Sequence, residues 1–229
     1  MALTFVASAG NYGANSGTSI ATSSTLDVAA GDVLLCHVGY ENASTTCTVS
    51  DGGSNSFEGG TEEQSGANNN FSRLFYLLAA SANATATFAA TLGGTRAYRS
   101  IIVLQFRPDS GDAASVDQSA VLDNTTQSIA SPAISTTGTD EVVVAAVKSY
   151  STATFSAFQI GGVAADGSVV QPAGSGALSS MWYRILTATA SNITATVTQA
   201  NAPSTCHILA VKLDAAAASS FVPRIIMLN

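Results

Sequence analysis

The sequence predicts an all-β protein built from two tandem antiparallel β-sandwich domains of jelly-roll type, related by internal duplication and followed by a short apolar tail strand. Short apolar runs rich in β-branched residues recur along the chain, at residues 33–40, 101–106, 142–147 and 208–213. Turn clusters rich in Gly and Asn separate these runs, and no segment of about twelve residues carries the apolar periodicity of a helix. Many short strands with frequent turns are typical of a sandwich or jelly roll.

The duplication is predicted from features that occur twice in the same order. An apolar run that begins with an acidic residue occupies residues 32–40 and again residues 140–150. Each run is followed by an aromatic pair, at residues 75–76 and 182–183, and later by a closing apolar run. The repeat period is about 107 residues, far longer than the roughly 20–50 residues of a solenoid unit, and it suits a whole small domain.

The two copies set the expected domain boundaries. We expect a first sandwich at residues 1–108, a second at residues 109–214, and a linker and docking tail at residues 215–229. The Pro- and Gly-containing stretch at 107–112 suits a connection between domains. Strands of the first half are expected near residues 3–7, 19–28, 32–40, 45–50, 72–79, 83–90 and 99–107. Strands of the second half are expected near residues 116–121, 127–135, 141–149, 153–159, 180–187, 192–199 and 206–213.

The last segment of the chain belongs to neither repeat. After a bland spacer at residues 215–220, nearly every residue is apolar. A free apolar tail would favour aggregation, so we expect it to dock by adding a strand to a sheet. Two alternatives stay open: the tail pairs with its own first domain, or it pairs with a neighbouring subunit. The residues expected to make the contact are Phe221, Val222, Ile225, Ile226, Met227 and Leu228.

The composition disfavours several classes of partner. Only 10% of the residues are charged and the net charge is −7, so a polyanion would be repelled and nucleic acid is not an expected partner. No run of about 18 apolar residues predicts a membrane helix, and no membrane partner is expected. The start of the chain lacks the basic segment of a secretory signal, so we expect synthesis in the cytoplasm.

The cysteines and histidines do not form a recognisable metal motif. Three cysteines are an odd number, which favours buried thiols at Cys36, Cys47 and Cys206, with a Cys36–Cys47 bridge as the alternative. His37 and His207 each follow a cysteine, which suggests zinc, but adjacent strand residues point to opposite faces. We therefore expect no metal and place each histidine either facing outward or in a hydrogen bond.

Carboxylates gather in the loop at residues 51–63, which holds Asp51, Glu58, Glu62 and Glu63. Such a loop could hold calcium or a glycosidase pair, but its spacing fits no calcium motif, and we expect a solvated acidic loop. No GxSxG or phosphate-binding glycine motif occurs. We therefore predict no enzyme activity and no catalytic, cofactor-binding or metal-binding residue.

The two aromatic pairs offer a possible ligand contact. Because adjacent strand residues face opposite sides, one member of each pair should anchor the core while the other faces out or packs against the sister repeat. An outward Tyr76 or Tyr183 could stack on a sugar ring, which makes these two residues the candidate ligand-stacking positions.

The chain resembles the tandem β-sandwich structural proteins of tailed phages and bacterial surfaces. The features that carry the resemblance are the start of the strand at 31–35, the turn at 49–55, the aromatic pair at 75–76, the alternating stretch at 85–88 and the closing strand. It spans residues 3 to 214 and consists of scaffold features. Where the second repeat should carry the Asp-Gly turn, Gly161 and Gly162 stand instead. The resemblance implies a virion or surface role and transfers no catalytic residue.

These observations together predict a non-enzymatic virion structural protein, a capsid decoration (cement) protein or a tail accessory protein that assembles through subunit contacts. The expected partners are copies of itself, with a trimer as one option, and other virion proteins such as the major capsid protein. The alternative is a glycan- or receptor-binding module of a tail fibre or cell-surface protein, which would place it outside the cell and give it a surface glycan as partner.

Overall fold

The computed structural model describes residues 2–65, 69–109, 112–124, 128–150, 154–171, 178–199 and 203–214. Within those ranges the protein consists of antiparallel strands joined by turns, without a helix, so the predicted all-β class is confirmed. The expected docking residues of the tail lie outside the described residues.

The strands of the first half are β1 (Leu3–Gly13), β2 (Gly17–Ala21), β3 (Leu26–Val28), β4 (Val33–Glu41), β5 (Cys47–Ser50), β6 (Glu58–Gly59), β7 (Glu63–Ser65), β8 (Asn70–Leu77), β9 (Asn83–Ala86) and β10 (Ala89–Pro108). Those of the second half are β11 (Ala113–Asn124), β12 (Ser128–Ala130), β13 (Glu141–Ser149), β14 (Phe155–Ile160), β15 (Val163–Ala164), β16 (Gly167–Gln171), β17 (Leu178–Leu186), β18 (Ala195–Gln199) and β19 (Ser204–Asp214).

The first half contains a large sheet with the strand order β1-β10-β4-β8, in which β6 and β7 both pair with the far side of β8. The opposite layer is formed by β2, β5 and the first part of β10, with β3 and β9 paired beside them. β10 belongs to both layers, because its register shifts between Thr91 and Arg96 and again between Ala97 and Ser100. Such shifts bend a strand and let it pass from one sheet to the next.

The second half repeats the strand order of the first. Its large sheet has the order β11-β19-β13-β17-β16, and its small sheet the order β12-β18-β14-β15. Both edge strands carry a bulge at corresponding places, between Phe5 and Ala7 in β1 and between Val116 and Gln118 in β11. This shared order is what a duplication would produce, and the duplication itself stays a prediction.

The two large sheets pack face to face, so the molecule contains three apolar cores. One core lies inside each sandwich, and the third joins the halves. Every residue of β4 and of β13 is buried, because these central strands are covered on both faces. This burial explains why their sequences are nearly continuous apolar runs rather than alternating ones. The joining core includes Leu35, Leu74, Phe106, Val144, Met181 and Leu209.

The sequence did not predict the short strands β6, β7, β15 and β16. Their sequences carry little apolar alternation, and they exist because they pair with the edges of β8, β14 and β17. The stretch expected as one strand at 83–90 is divided, since β9 ends at Ala86 and β10 begins at Ala89.

Candidate functional site at the interface of the halves

One part of the interface is an aromatic cluster formed by Phe5, Phe106 and Tyr183. The ring of Tyr183 stacks on Phe5 with centroids 4.9 Å apart and meets Phe106 edge-on at 5.1 Å. Tyr183 is 8% exposed, and a Cβ on Gly167 would lie 2.6 Å from its ring. Burial, and to a lesser degree Asp166, raises the pKa of Tyr183. Because the ring faces are covered, Tyr183 does not offer the outward surface that sugar stacking would need.

Tyr76 occupies the corresponding place in the first half but remains partly exposed. Tyr76 pairs with Leu35 on β4, as Tyr183 pairs with Val144 on β13. It lines a pocket of about 100 Å³ together with Thr61, His207 and residues of β11. Burial and a hydrogen bond with Glu58 raise the pKa of Tyr76. Of the two candidate stacking residues, Tyr76 is the more exposed to solvent.

The other members of the aromatic pairs anchor the sandwich cores, as predicted. Phe75 is 2% exposed in the first core, and Trp182 is fully buried in the second. The Trp182 indole Nε1 donates a hydrogen bond to the carbonyl of Gln159 at 3.1 Å.

At the other end of the interface the apolar side chains give way to polar ones. Strand alternation puts His37, Gly39 and Glu41 on the same face as Leu35, which is the face that meets the second half. We call this cluster the polar end of the interface. Its members are His37, Gly39, Glu41, Asn70, Ser72 and Ser100 from the first half, and Lys148, Ser179, Thr205 and His207 from the second.

The two histidines of the polar end face each other, with ring centroids 5.9 Å apart. Nε2 of His207 shares a hydrogen bond of 2.8 Å with Oγ of Ser72, whereas neither ring nitrogen of His37 has a hydrogen-bond partner among the described residues. Burial lowers the pKa of His207 to about 3, and burial together with His207 and Lys148 lowers that of His37. His37 therefore departs from prediction, since it is neither outward nor hydrogen-bonded.

The cysteines beside these histidines point the other way. Cys36 and Cys206 lie in the sandwich cores, and with Cys47 they are free and buried, as the odd cysteine number predicted. Cysteine and histidine of each dipeptide therefore cannot ligate one ion. Across the part of the chain that the structure describes, no group of three or more His, Cys, Asp or Glu side chains could hold a metal.

Hydrogen bonds at the polar end join the two halves directly. Oγ of Ser100 lies 2.6 Å from Oγ of Ser179, and Ser72 bonds to both Thr205 and His207. A serine hydrogen-bonded to a histidine is the arrangement found where a catalytic nucleophile meets its general base. Ser72, however, is completely buried, so a substrate cannot reach its oxygen, and the pair serves to hold the sheets together.

A buried ion pair completes the polar end. Nζ of Lys148 lies 3.6 Å from Oε1 of Glu41, with the lysine side chain 0% exposed and the glutamate 5% exposed. Gly39 makes room for the lysine, because a Cβ there would lie 2.6 Å from Cδ of Lys148. Burial lowers the pKa of Lys148 to about 8 despite the attraction of Glu41, and burial raises the pKa of Glu41. Desolvation thus outweighs the ion pairing and shifts the pKa of each group towards its neutral form.

The acidic loop is less solvated than expected. Glu62 accepts hydrogen bonds from Tyr40 and Ser44 and forms an ion pair of 3.2 Å with Arg73. Burial alone would raise the pKa of Glu62, but these partners outweigh it and lower the pKa. Asp51 is likewise tied to the backbone of its own turn and to Asn55 and Asn83. Glu58 is the exposed carboxylate of the group, and Glu63 is partly buried.

Sequence reasoning missed the buried polar residues Glu41, Asn70 and Lys148. The signal that could have found them is the lysine at the end of the apolar run 142–147, since a charge in a doubly covered strand requires a buried partner.

Comparisons with protein-family models, with curated proteins and with solved structures gave no match for this chain. The described residues include no helix long and apolar enough to cross a membrane.

Proposed function

We propose that the chain is a non-enzymatic structural protein of a phage virion, a capsid decoration protein or tail accessory protein that acts through contacts between subunits. The observation that carries the proposal is the joining core, which packs the two sandwiches against each other with both histidines and Lys148 buried. A unit of this kind suits a mechanical role, because its histidines and Lys148 are buried and its outer surfaces remain for neighbours.

The edges of the large sheets are the surfaces best suited to such contacts. Among the described residues, β1 and β11 each pair with one strand only, so most of one side of each backbone is open. On β1 the Gly10 carbonyl already accepts hydrogen bonds from Ser23. Val6 on β1 is 39% exposed and Leu122 on β11 is 46% exposed. An open edge with exposed apolar side chains favours pairing with another chain, and the apolar tail of a neighbouring copy is one of the two tail contacts left open by the sequence.

The proposal is tested by measuring the mass of the full-length protein in solution beside that of a chain ending at Asp214. We expect the full chain to form an oligomer by analytical ultracentrifugation and the shortened chain to be a folded monomer. Val6→Asp with Leu122→Asp should also weaken assembly, whereas Val163→Asp, at a 48% exposed valine away from these edges, should leave it intact. The proposal would be contradicted if the full-length and the shortened protein contained the same number of subunits in solution.

Tyr76 favours the second candidate, a glycan-binding module. Its ring lines the interface pocket with apolar neighbours and a histidine, a combination that suits a sugar face. A glycan array should then give binding that Tyr76→Ala abolishes, while Tyr150→Ala, at a 47% exposed tyrosine elsewhere, retains it. An array without a binder would remove this candidate.

A further inference from the structure

Three groups lie at the polar end with almost no water-exposed surface: the amine of Lys148, the carboxylate of Glu41 and the amide of Asn70. Glu41 and Asn70 are direct partners in the β4–β8 register, so their side chains leave the sheet side by side on the same face. The stem of Lys148 crosses Gly39, two residues before Glu41, and its amine lies 3.6 Å from the Glu41 carboxylate. The amine is therefore placed at the Glu41–Asn70 row.

These groups are poorly satisfied as hydrogen-bonding partners. Nζ of Lys148, Oε1 of Glu41 and both amide atoms of Asn70 are buried without a hydrogen bond to any described residue. The separation of 3.6 Å between Nζ and Oε1 allows an ion pair but is long for a hydrogen bond. Burying an amine, a carboxylate and an amide in this way is costly, and a reaction that removes the charges would relieve the cost.

We propose that Lys148 and Asn70 form an intramolecular amide crosslink that joins the two halves covalently, with Glu41 carrying the proton. The proposal goes beyond the structural function and does not depend on it. The crosslink would tie β8 of the first large sheet to β13 of the second, at the polar end of their interface.

The reaction needs no further reagent. Glu41 takes a proton from the ammonium of Lys148, and the freed lone pair on Nζ attacks Cγ of Asn70. In the tetrahedral intermediate the attacking nitrogen gives up a second proton, Nδ2 receives one proton by way of Glu41, the bond between Cγ and Nδ2 breaks, and ammonia leaves while the other proton stays on Glu41. One C–N bond forms and one breaks, and no electrons are gained or lost overall. The pKa of Lys148, lowered by burial to about 8, helps because a larger fraction of the amine is neutral.

The test is the intact mass of the purified full-length protein, measured after denaturation. The crosslinked chain is lighter than its sequence by one ammonia molecule, and peptide mapping finds the peptides of Asn70 and Lys148 joined. Lys148→Arg and Glu41→Gln should each restore the full sequence mass. Lys212→Arg is the matched control, because Lys212 is the other lysine of the chain and lies partly exposed beside Asp117, and this variant should keep the loss.

The outcomes separate the possibilities. A wild-type protein that is folded by circular dichroism and has its full mass overturns the proposal, whatever the variants do. Loss of one water molecule instead of ammonia, with Lys148 joined to Glu41, overturns the assignment of Asn70 as acceptor. The variant Asn70→Asp gives a second test, because a carboxylic acid at this position should lose water in place of ammonia when the crosslink forms.

Discussion

Replacing His207 by glutamine should make the stability of the protein less sensitive to acid. His207 is 4% exposed, faces His37 across the interface and bonds to Ser72, and the buried Lys148–Glu41 pair lies beyond His37. Protonating His207 would put an uncompensated charge into this dry cluster. Glutamine keeps a polar group near Ser72 but has no proton to gain.

The direction and size of the effect follow from the pKa of His207. The pKa is about 3 in the folded protein and 6.5 for an ordinary histidine. Between these values the unfolded chain binds a proton that the folded protein does not, so the free energy of unfolding falls as the pH decreases below 6.5 and levels off below the folded pKa. At pH 5 the loss from this residue is about 2 kcal/mol.

The assay is urea unfolding at pH 7 and pH 5 for wild type, His207→Gln and Thr205→Ser. The wild-type free energy of unfolding should fall on acidification by about 2 kcal/mol more than that of His207→Gln. Thr205→Ser changes a neighbouring buried residue and keeps both histidines, so its acid dependence should match wild type. Equal acid dependence in wild type and His207→Gln would refute the conclusion that His207 is buried in its neutral form.

Two further predictions concern packing, and both are measured by urea unfolding. Gly39→Ala should destabilise the protein by about 1–3 kcal/mol, because the new methyl group meets Lys148 and Ser100. The control Gly53→Ala, in a surface turn, should destabilise it less. Equal effects of the two variants would contradict the close approach at Gly39. Trp182→Phe should cost about 1–3 kcal/mol, because it leaves the carbonyl of Gln159 without its donor; an unchanged unfolding midpoint would show that this hydrogen bond contributes nothing.

The strand framework could be predicted from sequence because each strand carries its own local pattern. The runs at 33–40 and 142–147 contain little but apolar residues, and a glycine precedes each of them, so both strands were expected close to where they lie. Alternation predicted that one member of each aromatic pair would anchor a core, and Phe75 and Trp182 are those members. The short strands β6, β7, β15 and β16 have no such pattern, since they form only because a neighbouring strand offers an edge.

The polar end of the interface could not be assembled from sequence. Its members come from distant parts of the chain, and Glu41 or Lys148 looks like an ordinary surface charge until the partner sheet covers it. The same reason explains why Tyr76 and Tyr183, which occupy matching places in their strands, differ in exposure. Local sequence patterns indicate which segments form strands, whereas the packing of one sheet on another depends on the shapes of both sheets.

The joining core also makes the association of the sandwiches independent of dilution. Two separate chains that met through this surface would come apart when their concentration fell below their dissociation constant. Here a short connection after Pro108 tethers the partners, and a short tether holds them at an effective concentration of about the millimolar range. A single copy at high dilution therefore keeps its two sandwiches packed together.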